Sequence, residues 1–235
     1  MLSWCNGTHT GLLSLEVRVR ILSRVLKNLT FIDFFIIFIV KIKGKVMDNY
    51  ICHSGGCPGS DMTWENESAK YGVETVAYSF YNHVQDSLNQ KILSLDELDE
   101  GYEAVLIADK TLKRYVTRIM YPYVKNLLSR NWFQVKNSEA IFPIGMFANK
   151  KQSLVSGGTG WAVQMAVDNK KDIFFFEQPS KSWYKYDYKT SIFQKMYEIP
   201  KLTKNFAGIG TRKINDDGIN AIRDVLKNTF GNMPQ

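Results

Sequence analysis

From residue 47 onward, short apolar runs alternate with longer stretches whose apolar positions recur every three or four residues. "NYICHS" (49–54) is a short apolar run that stops at glycines. "DMTWENESAKYG" follows, with Trp64, Ala69 and Tyr71 on a partial apolar face and Gly72 as a C-terminal stop. "VETVAYSF" is rich in β-branched and aromatic residues and reads as a second strand. A strand–helix–strand unit requires parallel pairing and a right-handed crossover. Residues 81–137 read as mostly helical: "SLDELDEGYEAVLIADKTLKR" opens with a Ser/Asp cap and acidic first-turn residues. "YVTRIMYPYVKNLLSRNWFQVKN" has helical spacing at Val116, Ile119, Met120, Tyr123, Val124, Leu127 and Leu128, with Pro122 kinking or dividing it.

"EAIFPIG" is the next strand, and Pro143 argues for its end or for an edge position. A helix runs from the glycines at 157–160 to about Val167, and "KDIFFFEQ" is a buried strand. The aromatic, polar segment 183–198 has no clear period. "NFAGIG" is the last strand, and "INDDGINAIRDVLKNTF" closes the chain as a helix with Ile219, Ile222, Val225 and Leu226 on one face. The expectation is one α/β domain over 47–235, a doubly wound sheet of about five mainly parallel strands with helices on both faces.

Residues 1–46 form a separate N-terminal extension. "LTFIDFFIIFIV" (29–40) is the most apolar run of the chain, yet it is a dozen residues long and contains Asp33. A spanning helix needs about 20 apolar residues. The extension reads as a weak anchor, as a helix packed on the body, or as sequence upstream of a natural start at Met47, the last being favoured. Charge separates the same two parts. Of 30 Lys/Arg and 23 Asp/Glu, seven and two lie in 1–46, which leaves a near-neutral body of 23 against 21. That balance disfavours nucleic acid as a partner. Three cysteines, Cys5, Cys52 and Cys57, do not make a disulfide framework and have no metal-ligand spacing, so reduced thiols, a cytoplasmic location and no metal are expected.

The candidate chemistry lies at three glycine-rich corners, each after a strand and before a helix: "HSGGCPGSD" (53–61), "VSGGTGWAVQMA" (155–166) and "FAGIGTRKINDDG" (206–218). In a doubly wound sheet, ligands bind where strand C-terminal ends meet helix N-termini, and glycine lets main-chain amides approach an anion. None of the corners has the P-loop spacing or the G-x-G-x-x-G dinucleotide fingerprint. His53 directly follows the first strand and is a candidate general base, with a structural role as the alternative. "SRNWFQVKN" (129–137) places Arg130, Asn131 and Gln134 where a helix end pointing at the ligand edge would deliver them, or else at a solvated helix terminus.

Taken together, "SGGCPGSD", "SGGTGWAVQMA" and "FAGIGTR" resemble the SLOG superfamily of Rossmann-like proteins. That group includes lysine-decarboxylase-like phosphoribohydrolases, molybdenum-cofactor carriers and the DNA-processing protein A core. The resemblance spans about 47–230 and implies a pocket for a nucleotide or nucleotide-derived ligand. It implies that Ser54, Gly55, Gly56 and Gly59 line a phosphate or ribose contact, with Asp61 holding a hydroxyl or capping the helix. It further implies that Gly157, Gly158, Thr159 and Gly160 cradle a phosphate. Gly208, Gly210, Thr211 and Arg212 would form a third wall, where Arg212 pairs with a phosphate or makes a surface ion pair.

One departure bears on activity. The phosphoribohydrolases continue the second corner to a catalytic glutamate, where this chain has Gln164, which cannot act as acid or base. Trp161 offers either a stacking face or a core residue. The first expectation is therefore a binding protein (a sensor, carrier or sequestering protein) whose partner is a small nucleotide-derived molecule, with no other cofactor assigned. The alternatives are a hydrolase of an N-glycosidic or phosphoester bond, with His53 or Asp61 as catalytic candidates, and a nucleic-acid-binding module. Self-association into a homo-oligomer stays open, and a membrane partner is expected only if 29–40 is a genuine anchor.

Overall fold

The computed structural model describes residues 50–115, 121–151 and 153–233, which belong to one compact unit, Val46–Gln235. The expectations for the N-terminal extension, and for Val116, Ile119 and Met120, lie outside the described residues. No helix among the described residues is long and apolar enough to cross a membrane.

The chain alternates as expected at its start: β1 (Ile51–Ser54), α1 (Ser60–Ala69) and β2 (Glu74–Ser79). Next come β3 (Gln90–Ile92), α2 (Leu95–Leu112), α3 (Pro122–Lys136) and β4 (Ala140–Gly145). Ser94 caps α2 in a full capping box with Glu97, and Pro122 occupies the first turn of α3, where its missing N–H costs nothing. The short antiparallel pair β5 (Phe147–Asn149) and β6 (Leu154–Val155) feeds α4 (Gly157–Asp168). β7 (Asp172–Glu177), β8 (Ser182–Asp187), β9 (Ile192–Lys195), β10 (Asn205–Gly210) and α5 (Asp216–Phe230) complete the unit.

The main sheet has eight strands in the order β3-β2-β1-β10-β4-β7-β8-β9. The six from β3 to β7 pair in parallel, and β8 and β9 continue the sheet antiparallel. The fold class stands, as a mostly parallel sheet with helices on both faces, but the expectation of about five strands falls short in two places. β3 hides in a segment read as helical because its three residues are all exposed and carry no apolar pattern. The aromatic segment 183–198 supplies most of β8 and all of β9, whose rings knit to β7 and β5 through Phe176–Trp183, Phe175–Phe193 and Phe147–Tyr184.

Pro143 also departs from expectation: β4 lies inside the sheet, between β10 and β7. Its ladder to β7 pairs Ala140, Ile141, Ile144 and Gly145 and lapses at Phe142 and Pro143, so the missing donor is absorbed locally.

Alternation along the central strands sends side chains to two cores. Ile141, Ala207, Ile209 and Phe175 pack with Val105 and Ala108 of α2, Leu128 and Val135 of α3, and Trp161 and Met165 of α4. Phe142, Ile144 and Phe206 pack with Trp64 of α1 and Ile222, Val225 and Leu226 of α5. Of the expected α5 face, Ile222, Val225 and Leu226 are buried and Ile219 is half-buried. The sheet is therefore covered on both faces, and the corners after β1, β10 and the β4–β6 segment emerge at one rim.

Candidate functional site

Residues of all three corners line one cavity of about 550 Å³, within the range of small-molecule sites. Cys57 and Asp61 come from the first corner, Gly157, Gly158 and Thr159 from the second, and Gly210, Thr211 and Arg212 from the third. Helix α3 closes one side with Leu127, Leu128, Arg130 and Asn131. The corners converge, but each contributes something different.

The second corner contributes main chain. Ser156 occupies the N-cap of α4 without a side-chain cap, and the first turn contains no acidic residue. The first helical bond runs from Gly160 N–H to Ser156 C=O at 3.1 Å, so the amides of Gly157, Gly158 and Thr159 are left as the unpaired donors of a helix start. Gly157 has φ of 63°, a conformation that glycine adopts without strain, and a Cβ on Gly158 would meet nothing within 4 Å. Arg114, to which no sequence motif points, holds this corner from behind: Nη1 donates to Gly157 C=O and Nη2 to Val155 C=O, both at 2.8 Å. A long side chain closing on two carbonyls 43 and 41 residues away leaves no trace in the hydrophobic pattern.

The first corner contributes side chains instead. Two of its amides are spent within the protein, Gly56 N–H on Ser54 Oγ at 3.1 Å and Ser60 N–H on Thr211 C=O at 3.0 Å, and just beyond it Met62 N–H donates to Cys57 C=O at 3.2 Å. Ser54, Gly55, Gly56 and Gly59 are thus not cavity-lining, contrary to expectation. The glycines are small so that neighbours can close in. A Cβ on Gly55 would lie 1.8 Å from Arg130 Nη1 and 2.6 Å from Asp61 Oδ2, and one on Gly59 would strike the Arg212 backbone.

Asp61 lines the cavity but does not cap its own helix. Gly59 is the N-cap, and Asp61 Oδ1 accepts from Gly210 N–H at 3.2 Å, tying α1 to β10. Burial pushes its carboxyl up to about 6, against the opposing pull of the nearby Arg130 guanidinium.

At the third corner Gly210, Thr211 and Arg212 line the cavity, and Arg212 is exposed at its mouth beside Lys213. Gly208 does not: a Cβ there would lie 2.5 Å from Trp64 Cγ, so the glycine exists to admit the indole into the core. Gly160 is likewise a packing residue, pressed against Val155 C=O.

Arg130 is the unusual group. It is 5% exposed, its Nη2 donates to Cys57 Sγ at 3.2 Å, and Asp61 Oδ2 stands 4.0 Å away. Its Nε and Nη1 are buried with no hydrogen-bond partner. Buried guanidinium groups normally have several partners, so this charge is under-compensated. Asn131 beside it also faces the cavity. The expected helix end does not deliver these residues, which reach the cavity from within α3. Gln134, one turn further along, is fully buried, does not line this cavity and has both amide atoms unpartnered.

The remaining candidates fall away from the cavity. His53 is buried on the α3 side of the sheet, its ring stacked on Tyr78 with Nδ1 3.1 Å from the tyrosine hydroxyl. Burial holds the imidazole below its usual range, which leaves it neutral at pH 7 and enclosed. Gln164 donates to Asp168 at 2.8 Å within α4 and does not line the cavity. Trp161 is a core residue, 6% exposed, that shows part of its surface to the cavity, with Arg114 over its ring. No group of three His, Cys, Asp or Glu residues among those described has the geometry to hold a metal ion.

No known protein family, curated protein or solved structure matches the chain.

Proposed function

We propose that the protein binds a phosphate-bearing, nucleotide-derived small molecule in this cavity, as a sensor, carrier or sequestering protein. The observation that carries the reading is the under-compensated Arg130 guanidinium, buried in a wall of the same cavity that receives the uncapped N-terminus of α4. A helix start presents about half a positive charge and oriented amides, and a guanidinium adds forked donors; both suit phosphate oxygens. Charged lining residues agree in sign, with Arg130, Arg212 and Lys213 set against Asp61 alone. Asn131 and Trp161 supply an amide and part of an indole surface suited to a ribose or a base. This is also what the resemblance to the SLOG superfamily implies.

Binding, rather than bond cleavage, is favoured because, of the two catalytic candidates, only Asp61 lines the cavity, and its Oδ1 is engaged by Gly210 N–H. His53 is enclosed away from the cavity, and Gln164 is engaged with Asp168. The test is a thermal-shift and calorimetric series with AMP, cyclic nucleotides, NAD and ADP-ribose. A ligand at 100 times its Kd adds about 2.7 kcal/mol of stability, a clear upward shift of Tm. No shift with any phosphate-bearing ligand overturns the reading.

A further inference from the structure

Beyond the anion site, the cavity wall contains a thiol in unusual company. Cys57 Sγ lies 3.7 Å from His83 Nε2 and accepts the 3.2 Å hydrogen bond from Arg130. His83 Nδ1 is 3.1 Å from the hydroxyl of buried Ser79, and its ring stacks on Phe80 at 4.7 Å. With Nδ1–H given to Ser79, Nε2 is left as the acceptor facing the sulfur. We propose that Cys57 is a modification site, a nucleophilic thiol with His83 as its proton acceptor and Arg130 as its stabilising cation, which takes anionic low-molecular-mass disulfides and thereby closes the cavity covalently.

The chemistry is thiol–disulfide exchange. The Cys57 proton passes to Nε2 of His83, and the sulfur electron pair forms a bond to one sulfur of the incoming disulfide. The original disulfide bond breaks, and the departing thiolate takes the proton back from His83. One protein thiol is oxidised, half of the disulfide is reduced, and no other oxidant is needed. Two features support this role. The geometry aims Nε2 of His83 at the sulfur from 3.7 Å with Nδ1 held by Ser79; burial and the charges of Arg130 and Arg212 push the imidazole down to about 4, so it is neutral at pH 7 and a weak base that keeps the proton only while the thiolate stands beside it. The carboxylates of an anionic disulfide would meet Arg130, Arg212 and Lys213, the cations that line the same cavity.

Cys52 provides the contrast within the same chain. It is wholly buried on β1, and burial together with Glu65 holds its thiol far above the usual range. An inert structural thiol and a thiol in the cavity wall therefore stand five residues apart.

The closure half of the proposal rests on the binding reading, whereas the reactivity half does not. The experiment treats the full-length protein at pH 7.5 with oxidised glutathione, and in parallel with uncharged 2-hydroxyethyl disulfide, and follows Cys5, Cys52 and Cys57 by peptide mass spectrometry. Cys57 is expected to react at least about tenfold faster than Cys52, with oxidised glutathione preferred, and His83→Gln to slow it by about tenfold while circular dichroism stays unchanged. Calorimetry then compares ADP-ribose binding before modification, after it, and after reduction with dithiothreitol; binding is expected to vanish and return, and Cys57→Ser to be indifferent to the disulfide. Equal rates at Cys57 and Cys52, or a Cys57 rate untouched by His83→Gln, overturn the thiol site. Modification that leaves binding intact overturns the closure. Failure of unmodified protein to bind ADP-ribose or any other nucleotide strikes the binding reading and the closure built on it, while the mapping still decides the reactivity.

Discussion

Arg130→Met isolates the group on which the binding reading depends. Methionine fills a similar volume without charge. Within the protein, Arg130 gains one sulfur contact and a carboxylate at 4.0 Å. At an effective dielectric near 20, an ion pair at that distance is worth about 4 kcal/mol. Against this stands a desolvation cost of several kcal/mol per buried ion, and about 1–3 kcal/mol for each polar atom left without a partner. The terms nearly cancel, and Asp61, already held up to about 6, escapes its lost partner by taking a proton. The expected change in unfolding free energy, measured by urea denaturation at pH 7, is within about 2 kcal/mol of zero. Ligand affinity should behave differently. Two charge-assisted hydrogen bonds of about 1.5–3 kcal/mol each predict a rise in Kd of about 10²–10⁴-fold by calorimetry, at about 1.4 kcal/mol per decade. A stability loss above about 4 kcal/mol together with an unchanged Kd would show that Arg130 is a structural residue and refute the reasoning.

Stability should respond to pH through Asp61 with a definite sign. Its folded pKa of about 6 exceeds the ordinary 3.8, so the stability it contributes at low pH is lost as pH rises from about 4 to about 6, roughly 3 kcal/mol in all, and Asp61→Asn flattens that slope. His83 works in the opposite direction: its pKa is depressed to about 4, so its contribution is present above the usual 6.5 and is lost as pH falls toward 4, and His83→Gln removes that acid-side loss in urea titrations. Gly158→Glu places a carboxylate at the uncapped start of α4, where it should add about 0.3–1 kcal/mol to folding while abolishing anion binding; retained affinity would remove that helix end from the site. Gly208→Ala drives a methyl into Trp64 and should cost about 1–3 kcal/mol by urea denaturation, whereas a harmless substitution would contradict the close approach of the indole.

Runs with strong periodicity carried the fold. β1, β2, β7, β10 and α5 are readable because their apolar positions match a strand or helix period and their ends bear glycine or acidic caps. β3 was illegible, since three exposed residues are held by main-chain pairing to β2 alone. Pro143 misled because its expected penalty falls on a single stretch of ladder that the sheet tolerates. The corners themselves were legible, and so were Asp61, Arg130, Asn131, Gly157, Gly158 and Arg212. The purpose of each glycine was not. Gly157 and Gly158 open space at the cavity, while Gly55 and Gly208 make room for Arg130 and Trp64, and only the neighbours distinguish the two uses. Arg114 and His83 act through contacts with distant segments, which local spacing does not encode.

The position of β10 has a consequence for how the chain assembles. The last described strand to be synthesised is also a central one, inserted between β1 and β4 and joined to α1 through Asp61. Until Asn205–Gly210 arrives, β1 and β4 each present a bare edge and the two halves of the sheet have no common seam. Closing that seam spans about 150 residues of chain, so a nascent polypeptide stalled before Asn205 should be sticky and dependent on chaperones, and should gain protease resistance abruptly once the strand is released.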